Sequence, residues 1–255
     1  MIAEIVLAAA LGVAVGPLLG IAADRAVDRV RPELELRCTS CQHGMGRRSL
    51  VPVLHLFQRC EQCGSSIGSR YVAVDVLTVV VFAALGLRFG FSIKLLPYLV
   101  LGATLVVLAV VDAETHLLPN VIVWPSIWLA IPLTLLLSQV MDDSRFVPAL
   151  VGGLVFGGFI GASHVAYSAG MGRGDVKLAL LLGLYVGWAS ADSLGAIRLV
   201  LYAVVLALLG GALSGMAYNA LMKRGRAEIP FGPALAAASL VIIVSSQAIL
   251  DGIAS

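Results

Sequence analysis

The chain has 255 residues, 60% of them hydrophobic and only 13% charged, with 17 basic against 15 acidic side chains and a formal charge of +2. Its mean hydropathy is +0.99. That balance excludes an ordinary soluble domain and fits a protein whose outer face meets hydrocarbon.

Near-uncharged runs of about 17–25 residues, long enough to cross a bilayer as helices, recur along the chain. They predict an all-α polytopic membrane protein of about eight transmembrane helices, near 2–23, 70–88, 94–112, 117–138, 147–169, 175–190, 194–222 and 231–251. The first run carries Glu4 and no basic residue ahead of its apolar core. It is therefore read as a span and not as a secretory signal. Pro125 and Pro132 in the fourth span, and Gly210 and Gly211 in the seventh, mark places where a membrane helix tolerates a bend. In the fifth, Gly153, Gly157 and Gly161 share one face. That spacing is a helix-packing signature, with local mobility as a second reading. The chain thus divides into a first span (1–23), an extramembrane loop (24–69) and a membrane bundle (70–255).

Sorted by side, Arg25, Arg29, Arg31, Arg37, Arg47, Arg48 and Arg59 fall between the first two spans, and Arg70 opens the second on the same side. By parity, Arg173, Lys177, Lys223, Arg224 and Arg226 join them, which makes 13 of the 17 basic residues. Arg88, Lys94, Arg145 and Arg198 fall opposite. The positive-inside rule puts the rich side in the cytoplasm and both termini outside. The 24–70 stretch mixes eight arginines with five acids, a balance suited to a face against anionic lipid, with no nucleic acid expected.

All four cysteines lie in that loop, as "CTSC" (Cys38, Cys41) and "CEQC" (Cys60, Cys63), with 18 residues between the hooks. Paired C-x-x-C hooks suit a tetrahedral four-thiolate zinc site, which would supply the stability that so short a module lacks. The alternatives are disulfides, disfavoured in a reducing compartment, and a redox role. Four thiolates complete the coordination, leaving His43 and His55 as surface or packing residues and no open position for a substrate.

Three acids approach hydrocarbon: Asp75 one turn inside the second span, Asp112 at the end of the third, and Asp175 opening the sixth. Such acids usually turn inward for a reason. Asp112 and Asp175 are 63 positions apart with two spans between them, so the chain returns to the side it left and both reach the same boundary. Two carboxyls that meet there would hold one proton between them. One could then activate a water while the other hydrogen-bonds the attacked carbonyl, with no metal or cofactor needed for proteolysis. Gly172 and Gly174 would let a peptide backbone pass close to Asp175. Asp175 is equally open to a plain reading as a helix N-cap. Lys177 suits either steering of an acid or anchorage at the membrane surface. Glu114 and His116 are expected in an exposed loop.

These residues carry a resemblance. "MGRGDVKLALLLGLYVGW" resembles the G-x-G-D signature of the prepilin leader peptidase/N-methyltransferase family, membrane aspartic proteases of type IV pilus and related secretion systems. "VVDAETHLLPNVI" resembles that family's other aspartate segment, "IPFGPALAAA" its closing motif, and the paired cysteine hooks followed by "SRYVAVDVLT" its zinc-bearing loop. The similarity runs from about residue 10 to 240. It implies a bacterial cytoplasmic-membrane enzyme with Asp112 and Asp175 as catalytic pair. The enzyme would cut the short basic leader of a prepilin or pseudopilin on the cytoplasmic side, typically after glycine and before a hydrophobic helix. Many long members also methylate the new N-terminus with S-adenosylmethionine. This chain has Gly20 where the family usually has asparagine, Asp75 for the usual glutamate and Val72 where proline is common, all bearing on methylation. Asn120 follows Pro119 where aspartate is usual, which leaves the pair intact. A pilus-assembly scaffold and a transporter with embedded acids are the competing classes, and the sequence leaves the oligomeric state open.

Overall fold

The computed structural model describes residues 2–28, 38, 41, 43, 59–65, 69–115, 117–166, 172–222 and 231–254. Arg29, Arg31, Arg37, Arg47, Arg48, His55, His116, Lys223, Arg224 and Arg226 lie outside the described residues, as does the side chain of Arg70. Among the described residues the chain is all-helical, with eight helices. They are α1 (Ile2–Asp28), α2 (Ser69–Phe89), α3 (Leu95–Thr115), α4 (Asn120–Val140), α5 (Phe146–Ala166), α6 (Arg173–Trp188), α7 (Ser193–Met222) and α8 (Gly232–Ala254). Seven are long and apolar enough to cross a membrane. The exception is α6, whose 16 residues span about 24 Å.

The chain separates into two compact units, Met1–Val111 and Asp112–Ser255, with the division inside α3. In the first unit α1 and α2 pair through small residues. A Cβ added at Gly12 would lie 2.9 Å from Val79 Cα, and one at Gly86 would lie 2.5 Å from Ala8 Cβ. Such positions let backbones approach where hydrocarbon outside offers no hydrophobic drive to associate. Val74, Val106 and Val110 form a buried cluster that joins α2 to α3, with Leu19 and Val81 against it. Gly90 turns the chain from α2 toward α3 at φ +56, its N–H donating to Gly86 O at 2.9 Å. This left-handed helix end suits glycine. Phe89 stacks on Tyr98 with centroids 4.2 Å apart.

In the second unit α6 is the central helix, packed against α4, α5, α7 and α8. Every residue from Leu181 to Ser190 is buried, so this helix is sheathed by protein and its shortness leaves no lipid-facing mismatch. Its partner α5 meets it backbone to backbone. A Cβ on Gly152 or Gly187 would strike the opposite helix's backbone, while Gly153 faces Leu184, Gly157 faces Leu180 and Gly161 faces Val176. The glycine face expected of the fifth span is therefore the α5–α6 seam. At the far end of α6, Trp188 Nε1 donates to Ser138 Oγ at 2.9 Å and Arg145 Nη1 donates to Ala189 O at 3.1 Å. Arg145 Nε is also paired with Asp143.

The prolines do not interrupt α4, nor do Gly210 and Gly211 interrupt α7. Ser126 Oγ donates to Ile122 O at 2.8 Å and Thr134 Oγ1 to Ala130 O at 2.8 Å. These hydroxyl bonds supply backbone carbonyls near each proline with a local donor. Phe231 lies over Gly211, where an added Cβ would come within 2.9 Å of its ring.

Candidate active site

Asp112 and Asp175 both belong to the second unit, and both are buried, at 4% and 8% exposure. Asp112 lies in the last turn of α3, which runs on to Thr115. Glu114, expected in a loop, is therefore helical, though exposed as anticipated. The helix outlasts the apolar run because Ala113–Thr115 continue its backbone bonding without needing hydrocarbon around them.

Asp175 is the third residue of α6, and Gly172 holds the N-cap position. The Asp175 carboxylate accepts the Gly172 N–H at 3.0 Å, while the Asp175 N–H donates to Gly172 O at 3.2 Å. The acid is thus not an N-cap itself. It occupies the N3 position of a capping box, reaching back to the cap's backbone, at the end of the helix where orphan N–H groups and the macrodipole favour a carboxylate. Asp112 has a similar seat. Its Oδ2 lies 2.5 Å from where a Cβ on Gly232 would stand, and Gly232 opens α8. Each acid therefore rests at a helix N-terminus.

The two seats are connected by Leu118. A Cβ at Gly174 would come within 2.9 Å of Leu118 Cβ, and one at Gly232 within 3.7 Å of Leu118 Cδ2. The reason for Gly174 is thus this close approach rather than an unusual dihedral. Gly172, at φ −74 and ψ 151, is ordinary extended backbone. Lys177 reaches toward α4: its Nζ donates to Asn120 Oδ1 at 2.7 Å and lies 5.7 Å from the centroid of Trp124. Both contacts join α6 to the first turns of α4, and the second is in cation–π range.

Leu118 and Gly232 were not singled out from the sequence. The run Phe231-Gly232-Pro233 signals a helix start, but no spacing rule says that the glycine will face Asp112.

In the first unit Asp75 is buried at 8% exposure. A Cβ on Gly16 would lie 2.5 Å from its Oδ1, so α1 passes directly over this carboxyl. Gly16 was also missed, although Ala8, Gly12 and Gly16 recur every fourth residue. One turn before Asp75, Tyr71 donates its hydroxyl to Asp24 Oδ2 at 2.6 Å.

The four cysteines converge. Their Sγ atoms all lie within 4.8 Å of one another, with Cys38–Cys63 at 3.6 Å and Cys41–Cys60 at 3.5 Å. A tetrahedral zinc with bonds of about 2.3 Å needs sulfur separations of about 3.8 Å, so the donor set fits a metal ion. Gly64 makes the second hook's turn at φ +68, with its N–H donating to Cys60 O at 2.9 Å. Ser65 Oγ lies 2.9 Å from Cys63 Sγ and 3.2 Å from Cys38 Sγ. Its hydroxyl, and then its backbone N–H, hold the Cys63 thiol below the ordinary cysteine range. His43 is exposed, and its carbonyl accepts the Cys38 N–H at 2.9 Å.

Comparison with known proteins puts this polytopic chain among the membrane peptidases. Residues 99–218 match the family described as the Type IV leader peptidase family, and residues 10–89 match the Bacterial Peptidase A24 N-terminal domain. The chain is 28% identical to the "Prepilin leader peptidase/N-methyltransferase" of Bacillus subtilis, over 84% of this chain and 83% of that one. The proteins of the same name from Pseudomonas aeruginosa and Pseudomonas putida are 30% and 32% identical. Those matches cover 81% and 82% of this chain and 70% and 71% of theirs. No solved structure matches. The chain belongs to the type IV leader peptidase family.

Proposed function

We propose that this protein is an aspartic endopeptidase that removes the short basic leader of type IV prepilins or pseudopilins, with Asp112 and Asp175 as its catalytic pair. The observation that carries the reading is the placement of both acids. They are buried in one unit, each beside a helix N-terminus, and Leu118 packs against the glycine that adjoins each. At Asp175 the cap position belongs to Gly172, and the carboxyl supports the helix start from N3.

In this mechanism the two carboxyls share one site and hold one proton, since two carboxylates brought together cannot both ionise cheaply. The ionised carboxyl takes a proton from water as the water oxygen bonds to the scissile carbonyl carbon. The protonated carboxyl hydrogen-bonds the carbonyl oxygen and stabilises the tetrahedral intermediate. A proton then passes to the departing amine nitrogen, the C–N bond breaks, and the pair returns to its one-proton state. The proton belongs to the pair and not to either residue.

The basic-residue partition supports a bacterial cytoplasmic membrane with the pair at its inner face, beside anionic lipid. The substrate's hydrophobic helix would then lie in the bilayer while its leader stays in the cytoplasm. Structural zinc on Cys38, Cys41, Cys60 and Cys63 would stiffen the cytoplasmic loop, outside the reaction path. N-methylation by S-adenosylmethionine belongs to the proposal as a second activity, after the names of the relatives. The buried Asp75 offers a carboxylate to a sulfonium cation, which supplies the methyl group when bound.

The test coexpresses the chain with a candidate prepilin and compares wild type, Asp112→Asn and Asp175→Asn at matched membrane levels. Leader removal by wild type alone supports the peptidase. Pilus assembly that survives either substitution points to a scaffold. The mass of the product's first residue reports methylation in the same sample.

A further inference from the structure

Leu118 occupies an uncommon place. Its Cβ, Cδ1 and Cγ lie 2.9, 3.2 and 3.4 Å from the point where Gly174 would carry a Cβ, while its Cδ2 lies 3.7 Å from the equivalent point on Gly232. Gly174 immediately precedes Asp175, and Gly232 is the residue on which Asp112 Oδ2 rests. One isobutyl group thus fills notches in both helix starts that seat the acids.

We propose that Leu118 is a positioning residue, a wedge whose bulk sets the separation of Asp112 and Asp175. The inference rests on the reading of those two acids as the catalytic pair. The wedge is itself held on both sides. Pro119, the N-cap of α4 at φ −68 and ψ 122, restricts Leu118 to extended backbone. Immediately beyond, Asn120 accepts from Lys177 at 2.7 Å, and the same ammonium lies over Trp124. Lys177 therefore ties the start of α4, and the wedge with it, to the first turns of α6. This also accounts for a lysine two residues from an acid that it does not serve directly.

A wedge and its notch predict a size exchange. Leu118→Ala leaves a gap into which the α6 start can drift, and Gly174→Ala drives a methyl group into Leu118. A shift of about 1 Å in reacting groups costs on the order of a hundredfold in rate. In the full-length protein in lipid vesicles, Leu118→Ala should lower kcat at least tenfold (about 1.4 kcal/mol), with KM moved by less than about threefold. Gly174→Ala should be slower still. The double variant Gly174→Ala/Leu118→Gly, which also removes the Leu118 Cβ nearest the added methyl, should recover at least about tenfold over Gly174→Ala alone. That recovery is what a positioning role predicts, because the removed bulk makes room for the added methyl.

Wild-type kcat in Leu118→Ala would overturn the proposal, as would a double variant no faster than Gly174→Ala. If Gly174→Ala does not fold, the kcat-against-KM split in Leu118→Ala decides alone. Gly158→Ala, at a position with nothing within 4 Å of the added methyl, controls for helix substitution. Asp112→Asn and Asp175→Asn run alongside: activity in either defeats the catalytic pair itself, whereas their inactivity with a normal Leu118→Ala defeats only the wedge.

Discussion

Gly183→Ala tests whether the α5–α6 seam holds Asp175 in place. The new Cβ would press on the Gly152 carbonyl oxygen and lie 2.8 Å from both Gly152 C and Gly153 Cα. These are backbone atoms, so no rotamer change relieves the overlap. Carbon pairs prefer about 3.5–4.0 Å, and the helices must part by roughly 1 Å. That gap also loosens Leu180 and Leu184 from Gly157 and Gly153, forfeiting about a quarter to a half of each contact's attraction. Overpacking of this kind costs about 1–3 kcal/mol, or a Tm lower by about 2–4 °C per kcal/mol for a chain of this size. Because α6 carries Asp175, leader cleavage should fall on the order of a hundredfold. The measurement pairs thermal unfolding in detergent with the cleavage rate at matched protein. Gly158→Ala should leave both unchanged. A Gly183→Ala protein with wild-type Tm and rate would refute the reasoning, as would equal damage from Gly158→Ala.

Gly232→Ala should remove cleavage with little loss of Tm, because the added methyl would meet Asp112 Oδ2 at 2.5 Å and displace the carboxyl; a processing assay with a melting curve checks this. Asp192 caps α7, its Oδ2 accepting the Gly195 N–H at 3.0 Å, and that N–H holds its carboxyl below the usual range. The contribution is complete above the unfolded carboxylate pKa of about 3.9 and is lost as pH falls through the lower folded value. Asp192→Ala should cost about 0.5–2 kcal/mol near neutral pH and flatten the acid limb of the Tm–pH curve. Removing metal with a chelator, or Cys60→Ser, should make 38–65 sensitive to limited proteolysis while peptide hydrolysis stays within about threefold of wild type, since a closed four-thiolate site offers no position to substrate.

The helices were legible because hydrocarbon imposes length and composition on each span, and the fifth-span glycines because their spacing declares a face. The convergence of Cys38, Cys41, Cys60 and Cys63 was legible for a similar reason: two short hooks limit where thiols can go. The end of α3 was not, since Ala113–Thr115 have no hydropathy signal and stay helical through backbone bonds alone. Nor was the purpose of Gly174, whose neighbour Leu118 lies 56 positions away in sequence. Contacts at that distance depend on how helices pair, which apolar patterning leaves undetermined. The same holds for Gly16 over Asp75 and Gly232 over Asp112, where a missing side chain records a partner that only the folded chain identifies.

The central claim is that Asp112 and Asp175 act as one acid–base unit, and the pH profile of kcat/KM for leader cleavage by the purified protein in lipid vesicles reaches it most directly. A rise and a fall, the two limbs belonging to the pair, with cleavage abolished in folded Asp112→Asn and Asp175→Asn, is the predicted result. A rate indifferent to pH across the carboxylate range, or turnover persisting in either variant, would contradict it.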